Sequence, residues 1–330
     1  MPMFGDFPQA APQRLTFLLI PEFSMIGVSA MIDPLRWANH IQESSAYRWE
    51  MVSMDGKPVA ASNGLVLEAQ RKLSDVEDTD LLIVCAGFDP ERYESGALFA
   101  GLRRLGLRGA DVGGQDTGCH LLAAAGLLDG YRAAIHWENL NSFIENFPRV
   151  KAADEIFEVD RNRFSCSGGL SGLDMMLHLI QCQHGSDLAR AVSDELIYSQ
   201  RRQSDHPQRL SVEARFGINN SKLVTAIKLM QRTLEEPMSI ALLAREVHVS
   251  ERELERLFRK FLSATPAAFY RDLRLEKSRL LLQQTSRNIT SIAMSCGFSS
   301  VSHFSRCYQV KYARSPSKDR GQESSNPPLS

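Results

Sequence analysis

Two stretches of this 330-residue chain hold residues whose types and spacing could do chemistry. The first is Ala110-Asp-Val-Gly-Gly-Gln-Asp-Thr-Gly-Cys-His120, where a β-rich run passes through glycines into a helical pattern. Doubly wound folds bind ligands at such strand-to-helix elbows, at the carboxyl end of the sheet. Cys119 beside His120 suggests a thiolate–imidazole pair, and hence an amidase or peptidase. Against that reading, the thiol lies three residues past Asp116, no third group is patterned to orient the histidine, and Cys119 serves equally as a small apolar filler. A carboxylate at Asp116 suits a cation instead, and Phe88 and Trp137 are aromatics of the type that binds cations by their faces. Thr117, Gly118 and His136 complete the set of candidate ligand-binding residues. The segment His136-Trp137-Glu138 reads equally as core and cap or as a wall of the same crevice. The second stretch is Ser250–Phe261, whose outward positions Arg252, Glu255, Arg256 and Arg259 could read base edges. A second copy starts at Ser300, 50 residues after Ser250, with Val301, Ser302, Ser305 and Arg306 as its outward positions.

The elements that must position these groups change character along the chain. Leu15–Ile20, Trp49–Met54, Leu81–Ala86, Ala110–Gly114 and Arg132–His136 read as strands, with Ile156–Val159 and Arg163–Cys166 as a hairpin-like pair. Helical periodicity lies between them at Ser29–Asn39, Gly118–Leu127, Glu138–Asn146 and Leu170–His184. Alternation of this kind predicts an α/β, doubly wound, mostly parallel sheet. The polar mixture at 187–217 reads as a linker, hinged near Arg201–Pro207. Beyond it only helices are predicted: Ser221–Glu235, Ile240–Val247, Ser250–Phe261, Pro266–Gln284, Ile289–Cys296 and Ser300–Tyr312. The sequence thus divides into a flexible start (1–13), a sensing domain (14–186), the linker, an all-α domain (218–320) and a disordered tail (321–330).

Composition sets the function classes. At 43% hydrophobic and 23% charged the chain is neither disordered nor fibrous. Its apolar runs are the length of one strand, so no membrane partner is expected, and the N-terminus lacks a basic segment followed by an apolar one, so the cytoplasm is expected. Six cysteines without a C-x-x-C pair predict reduced, buried thiols and neither metal nor cofactor. The net charge of −1 conceals an asymmetry: residues 1–202 carry 18 Lys+Arg and 27 Asp+Glu, whereas 203–330 carry 20 and 12. Only the basic C-terminal part is suited to a polyanion.

In that part, Ile240–Ser250 and Ile289–Ser300 each make a short helix and tight turn, followed by a helix with a buried stripe. The stripes are Leu254, Leu257, Phe258 and Phe261 in one copy, and Phe304, Cys307 and Tyr308 in the other. Each pair is a helix-turn-helix candidate, and two recognition helices in one chain could enter successive major grooves about 34 Å apart. Lys222, Arg274, Lys277 and Lys311 are candidates for phosphate contacts.

The residues Ser250-x-Arg-x-Leu-x-Arg-x-Phe258, Tyr270-x-x-x-Arg-Leu275, Leu280-Leu-Leu282, Ile292-Ala293, Gly297-Phe298-x-Ser300-x-Ser302-His303-Phe304-x-Arg306 and Ser315-Pro316 closely resemble the AraC-type DNA-binding domain. The family's usual glycine before each Ser/Thr-Pro turn is replaced by Ser263 and Ala313, which then need positive φ at a helix end. The elbow resembles that of the class I glutamine amidotransferase-like superfamily, flavodoxin-like in fold and including PfpI-type proteases, with Asp116 where the nucleophilic cysteine would stand. Together with Pro34-Leu-Arg-x-Ala-Asn39, Ala123-x-Ala-Gly-Leu-Leu-Asp-Gly130, Phe157-x-x-Asp-Arg-Asn-Arg163 and Ser167-Gly-Gly169, the arrangement resembles the GlxA family of transcriptional regulators. Tyr47-Arg-Trp49, Ala61-Ser-Asn-Gly64 and Asp116-Thr-Gly118 are most similar to members that respond to carnitine, glycine betaine and related quaternary amines. The resemblance implies a non-enzymatic activator of a catabolic operon, acting as a homodimer on promoter DNA and RNA polymerase under control of a small-molecule effector.

Overall fold

The computed structural model describes residues 12–285 and 287–320. The tail expected at 321–330 and nearly all of the stretch expected to be flexible at 1–13 lie outside the described residues. Two units divide between Gln208 and Arg209.

The first unit runs β1 (Gln13–Leu19), α1 (Met25–Ile41), β2 (Tyr47–Ser53), β3 (Val59–Ala60), β4 (Val66–Leu67), β5 (Arg71–Lys72), β6 (Leu81–Cys85), α2 (Gly96–Leu107), β7 (Asp111–Gln115), α3 (Gly118–Ala124), β8 (Arg132–Ala134), α4 (Leu140–Asn146), β9 (Lys151–Ala153), β10 (Phe157–Asp160), β11 (Arg163–Cys166), α5 (Ser171–His184) and α6 (Ser186–Glu195). Seven strands form one sheet in the order β10-β11-β7-β6-β1-β2-β5, with only the β10–β11 pair antiparallel. The two-residue period of a strand explains the layers. Every residue of β6 is buried; Leu81, Ile83 and Cys85 join the core shared with α1, α5 and α6, while Leu82 and Val84 join the one shared with α2 and α3. The expected α/β doubly wound fold is what forms. Cys85, Cys119, Cys166 and Cys296 are buried as expected, but Cys182 is exposed and Cys307 only half-buried.

The boundaries differ where caps and glycines decide. Helix α1 starts four residues before the predicted Ser29, because the Ser24 hydroxyl accepts from the Gly27 amide at its N-terminus. Helix α2 has no counterpart among the predicted helices, since Gly101 and Gly106 weaken its propensity; Leu98, Leu102 and Leu105 bury one face and hold it in place. The predicted linker is ordered from its start: α6 occupies Ser186–Glu195 and inserts Leu188, Ala189 and Val192 into the first core. At its other end, Val212 and Ile218 belong to the core of the second unit.

The second unit is all helical: α7 (Val212–Phe216), α8 (Ser221–Arg232), α9 (Ile240–Glu246), α10 (Glu251–Leu262), α11 (Pro266–Gln284), α12 (Ile289–Ser295), α13 (Val301–Tyr312) and α14 (Pro316–Arg320). It contains two cores. One gathers Leu223, Ile227, Leu243, Leu254 and Phe258 with Tyr270 of α11; the other gathers Ile292, Phe298, Phe304 and Tyr308 with Leu275, Leu281 and Leu282 from the far half of the same helix. Ser263 and Ala313 close α10 and α13 at φ 52° and 57°, the left-handed conformation expected of them.

Candidate effector crevice and candidate nucleic-acid interface

Strand β7 ends at Gln115 between β6 and β11, and Asp116 turns the chain into α3 with φ at 56°. A side chain rarely adopts this conformation, and the fold holds it from both sides: the Asp116 amide donates to the Cys166 carbonyl, and the Thr117 hydroxyl donates to the Gly87 carbonyl. Gly118 is required next, since a Cβ there would lie 2.0 Å from the Val84 carbonyl oxygen. The elbow therefore sets Asp116 at the edge of a crevice of about 350 Å³, open solvent at its mouth included.

Of the expected ligand-binding residues, Asp116, Thr117 and His136 line this crevice, and Phe88, Gly118 and Trp137 do not. Phe88 is 56% exposed, because Asp89, at φ 48°, turns the chain so that Pro90 and Glu91 reach the crevice in its place. Gly118 is buried under Val84, where its role is close approach. Trp137 packs its ring against His136 at 5.5 Å. Sequence reasoning missed Glu91, Asn139 and Phe143 and took His120 only as a partner for Cys119; the short helix at Pro90–Tyr93, α3 and α4 bring all four to one place. Only Asn139 and Phe143, four apart at the start of α4, carried a signal for a shared face.

The electrostatics favour a cation. Among the described residues neither Lys nor Arg lines the crevice, while Asp116 and Glu91 do. Burial pushes the Asp116 carboxyl up to about 7, opposed by the Thr117 amide and reinforced by Glu138. Burial also lowers His136, against the pull of Glu138 4.0 Å away, so its imidazole is neutral near pH 7. Cys119 is 1% exposed, its thiol set against the carbonyls of Gly114 and Ala134, and burial raises it well above an ordinary thiol. His120 turns away from it to Glu94 at 2.9 Å. Burial therefore opposes the thiolate that a nucleophile at this position would need.

In the second unit, Ser250 and Ser300 cap α10 and α13, accepting from the amides of Glu253 and His303. The turns before them reverse at His248 (φ 55°) and Gly297 (φ 75°). Each produces a short helix, a tight turn and a second helix with a solvent-facing side. Arg252, Glu255, Arg256, Arg259, Ser302 and Arg306 are exposed; Ser305 is half-buried, and Val301 packs partly on the second core.

A helix-turn-helix domain model matches residues 243–322. The HTH-type transcriptional regulator CdhR of Pseudomonas aeruginosa is 44% identical over 308 residues, covering 93% of this chain and 91% of its own length. The regulator GlxA of Rhizobium meliloti is 35% identical over 305 residues, covering 92% and 94%. This chain belongs to the GlxA-type AraC family of transcriptional regulators. A ThiJ/PfpI family protein from Pseudomonas syringae shares the fold of the first unit's kind, with TM-score 0.52 at 19% identity over 69% of this chain and 89% of its own.

The protein is thus a DNA-binding transcriptional regulator. Within this AraC-type regulator the basic residues divide in two. Arg256 is held by Glu253 through two hydrogen bonds of 2.7 Å, and Arg259 by Glu255 at 3.1 Å. Arg252 and Arg306 make no ion pair among the described residues. Three expected phosphate contacts are committed inside the domain: Lys222 donates to the His248 carbonyl, Arg274 to the Gly297 carbonyl and Lys311 to the Asp272 carbonyl. Arg274 also lies 4.7 Å over the Phe298 ring, bracing the second turn. No helix among the described residues is long and apolar enough to cross a membrane.

Proposed function

We propose that the regulator acts in the cytoplasm as a homodimer and activates a catabolic operon through RNA polymerase when a small cation occupies the elbow crevice. A quaternary amine such as carnitine or glycine betaine has the matching chemistry. The observation that carries this reading is the carboxyl of Asp116 at the elbow, in a crevice lined by carboxylates and imidazoles with no Lys or Arg among the described residues. A trimethylammonium group cannot donate hydrogen bonds, so it is recognised by charge and by polarisable surface. An effector acts only through unequal affinity for two arrangements of the protein, and ionisation of Asp116 on binding supplies such a difference. The test is a thermal-shift screen of the full chain against carnitine, glycine betaine, choline, sarcosine and arginine. One compound is expected to raise the melting temperature of wild type and to have no effect on Asp116→Asn; equal shifts in both would move the site away from the elbow.

On DNA, α10 and α13 are the reading helices, with Arg252, Arg256 and Arg306 on guanine edges, Glu255 on cytosine, Arg259 on the rim, and Val301, Ser302 and Ser305 against thymine methyls or either partner. Helix α11, 19 residues or about 28 Å long, separates the two copies by nearly one turn of duplex.

A further inference from the structure

The residues that lead out of the first unit, where the sequence predicts a hinge, are fastened at three places. Arg202 closes on the fully buried Asp174 of α5, with guanidinium and backbone amide each 2.8 Å from a carboxylate oxygen, and the Tyr198 hydroxyl donates to the same group. The Ile156 amide donates to the Ser204 carbonyl, and Pro207 pairs with Glu155. Gln208 then uses both ends of its carboxamide: Nε2 donates to the carbonyls of Ile135 (2.7 Å) and Glu155 (3.0 Å), and Oε1 accepts from the Trp137 amide (2.8 Å).

Ile135 and Trp137 are the two neighbours of His136, and Ile135 and His136 both line the crevice. Strand β8 ends at Ala134 and its pairing reaches only one step further, the Ile135 amide donating to the Ala153 carbonyl, so the Ile135 carbonyl and the Trp137 amide on either side of His136 are both held by this one side chain. Gln208 is also the last residue of the first unit, and the DNA-binding unit begins at Arg209.

We propose that Gln208 is the positioning residue through which occupancy of the crevice reaches the DNA-binding unit. A ligand that displaces the His136 turn must carry Gln208 with it or break its three hydrogen bonds. Because leaving these backbone groups unpaired is costly, the bonded and displaced arrangements are discrete states. The inference rests on the crevice being the effector site, and its test separates the two ideas.

The test is hydrogen–deuterium exchange on the full chain, comparing wild type with Gln208→Met, which keeps the side-chain length and removes all three bonds. One arm adds glycine betaine; the other perturbs the same turn without ligand by His136→Ala. In wild type, either perturbation is expected to change exchange in 198–208 by roughly tenfold, the scale of one or two hydrogen bonds opened. In Gln208→Met the change stays at 135–137. Gln208→Glu, which keeps the acceptor for Trp137 and loses both donors, falls between. A response of 198–208 in Gln208→Met equal to that of wild type overturns the proposal, as does no response to either perturbation in wild type. A Gln208-dependent response to His136→Ala alone sustains the proposal and refutes glycine betaine as the effector.

Discussion

Replacing Asp116 by asparagine should make the regulator more stable, and more so at high pH. The carboxyl is carried from an ordinary 3.8 to about 7, chiefly by burial. At about 1.4 kcal/mol per tenfold change, this corresponds to an upper bound of about 4 kcal/mol against the ionised, folded protein. The crevice opens to water on one side, so about half, ~2 kcal/mol, is the expected size after solvent screening. The sign follows from proton binding. Below 3.8 folded and unfolded chains are both protonated at this site and the penalty vanishes. Between 3.8 and about 7 the unfolded chain has lost the proton that the folded one keeps, so stability falls as pH rises, and above 7 the penalty is complete. The Asp116→Asn substitution preserves shape and removes the charge. Calorimetry of the full chain should show the first unit melting about 4–8 °C higher in the variant at pH 8, with a smaller gain at pH 5. The same variant should be unresponsive to effector while better folded, which separates lost binding from lost structure. An equal gain at both pH values, or a lower melting temperature at pH 8, would refute the argument.

Other perturbations test the rest of the molecule. Gln115 is fully buried and both ends of its carboxamide lack a partner, so Gln115→Met should stabilise the first unit by about 1–2 kcal/mol in urea titrations; destabilisation would show that the amide is satisfied. Ala313→Gly relieves a left-handed helix end and should add about 1 kcal/mol to the stability of the second unit, whereas Ala313→Val should subtract more than that. Asp319 is buried, accepts from Tyr308 and pairs with the half-buried Arg279 and the exposed Arg314, so Asp319→Ala chiefly leaves the buried Tyr308 hydroxyl without its acceptor; a loss of about 1–3 kcal/mol is expected by denaturation. Arg306→Ala should weaken DNA binding by about 1–3 kcal/mol and relax base preference at one step, and an unchanged footprint would remove α13 from the major groove.

What can be read in advance follows from how local each signal is. The all-apolar Leu81–Cys85 and the nearly all-apolar Leu15–Leu19 specify buried strands by themselves, and the Ser caps and aromatic stripes of α10 and α13 specify paired helices. Helix α6 reads as linker because the three apolar residues it buries, set among charges, are enough only once a core exists to receive them. The crevice is half legible. Asp116 and His136 follow strands, whereas Glu91 and Phe143 enter through contacts between elements distant in the chain, and Phe88 is lost to a single left-handed residue beside it. Gln208 carries no local signal, because its partners are backbone atoms 53 to 73 residues away.

The two cores strung on α11 constrain how the recognised DNA can evolve. Tyr270 belongs to one core and Leu275 to the other, so a single continuous helix gauges the offset between the two helix-turn-helix copies and hence between the reading surfaces proposed for them. Inserting one residue between them would rotate the second surface by about 100° and advance it by about 1.5 Å, taking it out of phase with the groove. Small steps in that spacing are therefore closed to the protein, and only the base identities within each half can drift. On the proposed docking, promoters recruited to this regulator must adopt its pitch, while specificity would diversify through substitutions at exposed positions such as Arg252 and Arg306.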